Sequence, residues 1–517
     1  MLVHHYLEFY TQTSADAPCY SFNGTTLSYQ DTNDSVNRLA NGLLDLGVKQ
    51  EQRVAILGEN SLEHCLLFMA TSKIGAVAVP LNYRLAAAEL AYIINDSETH
   101  VLIVLDSMAD TLAALRPHLS PSIHLITESQ NDSLHWSEWL EKYPTTKPQI
   151  DVDQYAPFLQ LYTSGTTGNP KGVVINHFNV VQLSTMSLLG SPTRVSRGSA
   201  GIVVAPLFHI GGVGSAIMGV CFGQHTLVHQ TFDPIKLLDD IEKYPVGNMF
   251  MVPAMIMFLL QMPGIEKRDF SKLEIVSYGA SPISETVLRQ AIDVFQCEFM
   301  QLYGMTETTG GGVALLPSDH RRALAGRPEL LRSCGKPMVG AEIKIVDEAG
   351  NSVAADEVGE IWIKSDTNMM RYHNLPEATA KDLTDGWVHT GDAGYLDSEG
   401  YLYLKDRIKD MVVSGGENIY PVEVENAVAK HEAVADVAVI GIPDDKFGEA
   451  LLAVVVLKPE HTLTAEEMVE FCRDKIAGYK IPRQLDIIAE LPRNPSGKIL
   501  KKILREPYWK NSERGIG

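Results

Sequence analysis

The residues of this chain best suited to chemistry form the run Tyr162-Thr-Ser-Gly-Thr-Thr-Gly-Asn-Pro-Lys-Gly172, which follows the apolar segment Phe158-Leu-Gln-Leu161. Hydroxyls and unhindered backbone N–H groups of this kind cradle phosphate oxygens, and Lys171 adds positive charge. The run is not a Walker loop, because the order G-x-x-x-x-G-K-[ST] occurs nowhere in the chain. Taken alone, a Gly/Ser/Thr run is equally a surface loop.

Further along stand Tyr303-Gly-Met-Thr-Glu307, Thr390-Gly-Asp392 with Tyr395 behind it, Asp406-Arg-Ile-Lys-Asp410, Ser414-Gly-Gly-Glu-Asn418 and Pro495-Ser-Gly-Lys498. Each has a plain reading. Glu307 alone is a solvated glutamate, Tyr303 a core tyrosine and Gly391-Asp392 a turn, while Lys498 beside Lys501 and Lys502 is a solvated cationic face. His209, in Pro206-Leu-Phe-His-Ile-Gly-Gly212, reads alone as a satisfied core histidine. In this order, however, the motifs resemble the adenylate-forming superfamily, and within it the acyl-CoA synthetases, particularly bacterial fatty-acyl-CoA ligases. The resemblance runs from about residue 20 to about residue 505.

That resemblance implies roles. Thr163, Ser164, Gly165, Thr166, Thr167, Gly168 and Lys171 would grip the triphosphate of ATP, Thr306 would contact the α-phosphate, and Glu307 would hold Mg²⁺, a hard cation suited to a carboxylate. Tyr303 with Gly279 and Ala280 would line the adenine slot, and Asp392 and Arg407 would hold the ribose. Lys498 would bridge the acyl carboxylate and the α-phosphate, and Lys409 would be the hinge on which a small domain pivots after adenylation. Ser414, Gly415, Gly416 and Glu417 would then approach the pantetheine arm of CoA, where glycines permit close backbone approach. His209 would lie beside the acyl pocket. Relatives that activate amino acids typically carry an aspartate at that position, so its absence argues against an amino acid substrate.

These residues need elements to hold them. Arg53 to Leu57, Ala76 to Pro80, His100 to Leu105, Gly201 to Ala205, Gly247 to Val252 and Leu273 to Tyr278 read as strands between helical patterns, an α/β rhythm that predicts a mainly parallel core. Beyond about residue 330 short strands and turns predict a β-rich subdomain, and from Met411 an α+β unit of about 110 residues follows. The expected fold class is α/β: a large, multi-subdomain N-terminal domain over 1–408, hinged to a small α+β C-terminal domain over 409–517.

At 517 residues the chain is too long for one hydrophobic core. Its net charge of −21 disfavours nucleic acid and anionic lipid as partners. Its six cysteines show no C-x-x-C spacing, so neither zinc nor a disulfide framework is indicated. The start lacks the pattern of a signal peptide, and the apolar stretch Ala200 to Gly223 holds Pro206, His209 and several glycines, which favours a buried strand and helix over a membrane span. A cytoplasmic protein is expected, with at most peripheral membrane contact; a homodimer is left open.

The expected activity is ATP-dependent ligation of an acid to CoA through an acyl-adenylate, with release of AMP and pyrophosphate. The same motifs serve a ligase that loads a carrier protein, which would act in trans because no carrier domain follows residue 505, or a luciferase-like oxygenation of the adenylate. For the acid, Val213, Gly214, Met251, Val252, Tyr278, Met305, Gly310 and Gly311 predict an apolar pocket with no evident cation for a second carboxylate. A hydrophobic monocarboxylate is expected, a fatty acid first and an aryl acid second.

Overall fold

The computed structural model describes residues 1–128, 134–163, 170–190, 198–281, 283–407, 410–414, 417–444, 447–473, 475–493 and 499–510. The chain divides into two compact units, one of Met1–Leu331, Gly335–Glu342 and Ile363–Val388, the other of Arg332–Cys334, Ile343–Trp362 and His389–Gly517.

Two sheets build the larger unit. The first pairs Arg53–Leu57, Val77–Leu81, Thr99–Val104, His124–Thr127, Leu134–His135 and Pro157–Thr163 in parallel. Val77–Leu81 is buried along its whole length, as a strand covered on both faces must be. One edge turns antiparallel, where Pro157–Thr163 pairs with Lys171–Asn176 and that strand with Arg371–Tyr372 from far down the chain. The second sheet sets Pro18–Phe22, His225–Val228, Ala200–Val203, Val246–Met251, Ile275–Gly279 and Glu298–Tyr303 side by side, all parallel, with antiparallel strands at both margins.

Helix Leu62–Ile74 is buried on nearly every side and touches strands of both sheets. A helix apolar all round is stable only in such surroundings. It ends at Gly75, whose φ of +72° supplies the left-handed turn that closes helices. Lys73, in its last turn, is buried too. Its ammonium donates to the Asn33 and Asn37 side-chain oxygens at 2.7 Å each and lies 3.2 Å from Glu8 Oε1. Burial pushes its pKa down from 10.5 to about 8.

In the second unit, Val434–Asp444 and Gly448–Leu457 form a long antiparallel pair, Gln484–Ile487 adds in parallel, and Val412–Ser414 with Glu417–Ile419 completes the sheet. Alternation along the strands gives each face its own core. Val439, Leu451 and Val455 pack with helices Pro421–Val428 and Ala465–Cys472, whereas Ile440, Leu452 and Val454 pack with Leu491, Ile499, Leu504 and Tyr508. Within the Ser414 to Asn418 segment, read from sequence as a loop, Ser414 and Glu417 are antiparallel strand partners.

The protein is therefore a mixed α/β chain with a large N-terminal domain of mainly parallel sheets and a small C-terminal domain. The apolar stretch after Ala200 resolves into strand Ala200–Val203 and helix Ile210–Cys221, and no helix among the described residues is long and apolar enough to cross a membrane.

Lys73 makes stability depend on pH. The unfolded chain holds that proton up to about pH 10.5 and the folded chain releases it near pH 8, so between these values the unfolded state binds more protons and stability rises with pH. Urea unfolding of the wild type and of Lys73→Met from pH 7.5 to about pH 10 should show the wild type gaining on the variant by up to about 1.4 kcal/mol per unit. A constant difference would mean that the ammonium is not desolvated.

Candidate active site

Parallel strands deliver their carboxyl ends to one edge of a sheet, where open α/β sheets take their ligands. Gly279, Tyr303 and Met251 each end a strand at that edge of the second sheet, and the loop after Ala200–Val203 carries His209. A Cβ at Gly279 would stand 2.3 Å from Leu302 O, so only glycine fits. Ala280 follows at φ +66°, a left-handed backbone of the strained kind that gathers at functional sites.

After Tyr303 the chain makes a short 3₁₀ turn, Thr306–Thr308. The Thr308 hydroxyl donates to Gly311 O at 2.6 Å, Gly310 N to Met305 O at 2.8 Å, and Met369 N to Glu307 O at 2.8 Å. Glu307 is 6% exposed, and its Oε1 accepts a hydrogen bond from the Tyr372 hydroxyl at 3.0 Å. The Tyr372 ring lies 4.5 Å from the Lys171 ammonium, which pairs with Asp382 Oδ2 at 3.0 Å. Lys171 and Glu307, assigned separately from the sequence, thus meet on one tyrosine. The hydroxyl of Thr306 and the carboxylate of Glu307 are hard oxygen donors, the set that suits magnesium when it is bound through one carboxylate and substrate phosphates.

Thr163 and Lys171 are register partners across Pro157–Thr163 and Lys171–Asn176. The expected phosphate loop therefore joins two antiparallel strands; Ser164, Gly165, Thr166, Thr167 and Gly168 lie outside the described residues. A Cβ on Gly172 would meet Gln160 Nε2 at 2.7 Å. Beneath this strand pair Arg53 Nε donates to Gln160 Oε1, Gln160 Nε2 to the Tyr162 hydroxyl, and that hydroxyl to Asp96 at 2.6 Å.

Asn60 fixes the loop that carries His209. Its buried Nδ2 donates to Ala205 O and His229 O at 3.0 Å each, and its Oδ1 accepts from Leu207 N at 2.7 Å. Burial first, then Arg84, lowers the His209 pKa to about 4, leaving a neutral ring at ordinary pH. Its Nε2 is buried without a hydrogen-bond partner among the described residues. His209 also begins helix Ile210–Cys221. On that helix a Cβ at Gly214 would meet nothing within 4 Å, whereas one at Gly211 would stand 2.9 Å from the Phe250 ring and one at Gly212 2.1 Å from Pro206 O.

The other pocket candidates differ in their surroundings. Val213 packs in the core with Ala216 and Ile217. Tyr278 is fully buried, its hydroxyl 3.0 Å from His320 Nε2 and its ring against Phe299, because Ile275–Gly279 turns alternate side chains to opposite faces. Met251 is fully buried and Val252 8% exposed, both at the carboxyl end of Val246–Met251. Met305 starts the Thr306 turn. Gly310 and Gly312 have φ of +78° and +140°, and a Cβ at Gly311 would press Leu183 at 2.8 Å.

In the second unit Asp392 stands directly opposite Arg407 in the antiparallel ladder of Trp387–Leu396 with Leu402–Arg407. Lys498, Lys409, Gly415 and Gly416 lie outside the described residues, as do the side chains of Arg407 and Glu417. The flanks of the Pro495 to Lys498 motif are tied: Arg493 bridges Ile499, Arg493 pairs with Asp436 at 2.6 Å, and Lys501 with Glu425 at 2.8 Å. Lys501 is accordingly not part of a freely solvated face. A cluster with metal-like spacing, His4, His5 and Glu8, already has its carboxylate on Lys73 and Lys147, which disfavours a cation there.

Tyr372, Asp382 and Asn60 were not found by sequence reasoning. No spacing marks them, since each reaches its partner only through the pairing of distant segments.

Comparison with known proteins agrees with this geometry. The model of the AMP-binding enzyme family matches residues 7–373, and that of the AMP-binding enzyme C-terminal domain matches 423–498. The chain is 36% identical to a fatty acid–[acyl-carrier-protein] ligase, ScoC, of Streptomyces coeruleorubidus, over 98% of this chain and 96% of that one. It is also 36% identical to the long-chain-fatty-acid–CoA ligase FadD13 of Mycobacterium tuberculosis, over 93% of each. Among solved structures, the o-succinylbenzoate CoA synthetase MenE of Bacillus subtilis, in complex with its acyl-adenylate intermediate, superposes with a TM-score of 0.85 at 29% identity, covering 99% of this chain and 98% of that one. The chain belongs to the AMP-binding enzyme family and is an adenylate-forming ligase of the acyl-CoA synthetase class.

Proposed function

We propose that the protein activates a hydrophobic monocarboxylic acid, a fatty acid before an aryl acid, with ATP and transfers the acyl group to CoA. The observation that carries the choice of acid is the open helix face at Gly214, on the apolar helix that follows the neutral His209. Such a face receives an apolar chain and has no charge of its own to pair with a polar one. The fatty-acid relatives of 36% identity support the same reading.

In this reading the substrate carboxylate attacks the α-phosphorus, the new P–O bond forms as the bond to pyrophosphate breaks, and the acyl-adenylate remains bound. Two anions must approach each other, so the protein acts chiefly by positioning and charge neutralisation. Lys171 and the hydroxyls of the 163–168 loop take the β- and γ-phosphates, Thr306 the α-phosphate, Lys498 the acyl carboxylate and α-phosphate together, and Asp392 with Arg407 the ribose. Tyr303, Gly279 and Ala280 face the base. Glu307 would hold magnesium, which when bound would shield the phosphate charge. The thiol of CoA then displaces AMP at the acyl carbon after the small domain, pivoting at Lys409, brings the Ser414–Glu417 segment to the pantetheine. All six cysteines are free thiols, which suits the reducing cytoplasm in which ATP and CoA are found. A second acceptor, a carrier protein acting in trans, is favoured by the relative that matches almost the whole chain.

Product analysis tests the reading: an acid-dependent reaction should yield AMP and pyrophosphate, and ADP with phosphate would overturn it. CoA and a carrier protein offered in parallel identify the acceptor. Lys498→Ala should slow adenylation by roughly 10² to 10³ yet spare thioester formation from synthetic acyl-adenylate; equal loss of both halves, followed by rapid quench, would remove Lys498 from the phosphate. Gly214→Leu should cut turnover of long acids by roughly 10-fold or more and spare short ones. Its unfolding midpoint should stay near that of the wild type, because the position faces open space. Equal loss at every chain length would take Gly214 out of the pocket.

A further inference from the structure

We propose that Tyr372 is the positioning residue of the metal and triphosphate site, its hydroxyl orienting the Glu307 carboxylate toward magnesium while its ring seats the Lys171 ammonium. The proposal rests on the reading of Glu307 as metal ligand and Lys171 as phosphate cation.

Three contacts converge on this side chain. The hydroxyl donates to Glu307 Oε1 at 3.0 Å, the ring face lies 4.5 Å from Lys171 Nζ, and Lys171 in turn pairs with Asp382 at 3.0 Å. Backbone pairing sets the register: Tyr372 faces Val173 across the strand that begins at Lys171, and Met369 N holds Glu307 O. The side chain is 4% exposed. A phenol hydroxyl can donate and a carboxylate only accepts, so Tyr372 is the donor of this hydrogen bond. A carboxylate oriented in this way accepts one hydrogen bond and still has lone pairs for a cation, the arrangement by which outer partners tune metal ligands. The ring face attracts the ammonium without neutralising it. Phenylalanine would provide the second function but not the first, and an aliphatic residue neither.

The test is equilibrium binding rather than turnover. Calorimetric titration with ATP, in EDTA and over a range of Mg²⁺, would accompany electron paramagnetic resonance of Mn²⁺ with the ATP-bound protein. Tyr372→Phe should raise the metal Kd of the ternary complex about 10- to 100-fold and leave ATP binding in EDTA within about twofold. Tyr372→Leu should weaken ATP binding in EDTA as well, since Lys171 loses its seat. In a Glu307→Gln background, adding Tyr372→Phe should change the metal Kd by less than about twofold, because the two act through one contact.

A Tyr372→Phe protein that binds metal as the wild type does, while Glu307→Gln loses it, would overturn the proposal and leave Glu307 as ligand. Unchanged metal binding in Glu307→Gln would instead overturn the reading of Glu307. If Tyr372→Phe weakened ATP equally with and without metal, or added its full effect in the Glu307→Gln background, the tyrosine would be a packing residue alone.

Discussion

The parallel alignment of strands in the second sheet is the constraint on which the site depends. Because Ala200–Val203, Val246–Met251, Ile275–Gly279 and Glu298–Tyr303 run the same way in adjacent places, their carboxyl ends reach one edge together. Parallel strands cannot be joined by tight hairpins, so a helix or long loop must follow each of the first three, while Glu298–Tyr303 turns back into the antiparallel strand Val313–Leu315. The segments after these strands carry the residues proposed for the site: the loop to His209 after one strand, Ala280 after another, the Thr306 turn after a third. The sheet supplies spacing, and the connections supply function.

Holding such connections in place demands buried polar groups, which are costly unless they are paired. The structure meets this with side chains that bond to backbone. Asn60 satisfies two carbonyls and one N–H of segments far from it in sequence, and Thr308 closes the turn beside Glu307 on Gly311. Where backbones come closest, the residue is glycine: Gly212 against Pro206, Gly279 against Leu302 and Gly304 against Gly311 leave no room for a Cβ. The larger unit thereby fixes one loop geometry out of many that its apolar core alone would tolerate.

Much of this was legible in the sequence, for definable reasons. Runs such as Val54 to Leu57 and Val77–Leu81 announce buried strands by being continuously apolar, and motifs such as Tyr303 to Glu307 are local, so their members stay together however the chain folds. The face a residue takes is a different matter. Ile275–Gly279 is buried on both sides, so nothing in its composition tells that the Tyr278 hydroxyl turns to His320. On helix Ile210–Cys221, Val213 and Gly214 are neighbours with opposite surroundings, one in the core and one in open space. Tyr372 was hidden for a third reason: its place depends on an edge pairing between strands widely separated in sequence, which no local pattern encodes.

The ion pair between Lys171 and Asp382 bears on the passage of nucleotide through the site. Lys171 is not a bare cation waiting for phosphate; a carboxylate already balances it, with both partners partly open to solvent. If Lys171 takes phosphate as proposed, arrival of a triphosphate is an exchange of one anion for another, and the electrostatic gain is the difference between two partners rather than the full attraction of one. The same carboxylate remains beside the lysine when pyrophosphate has formed and can reclaim it. In that reading a counter-ion built into the fold would moderate how tightly the site grips what enters and ease the departure of what must leave.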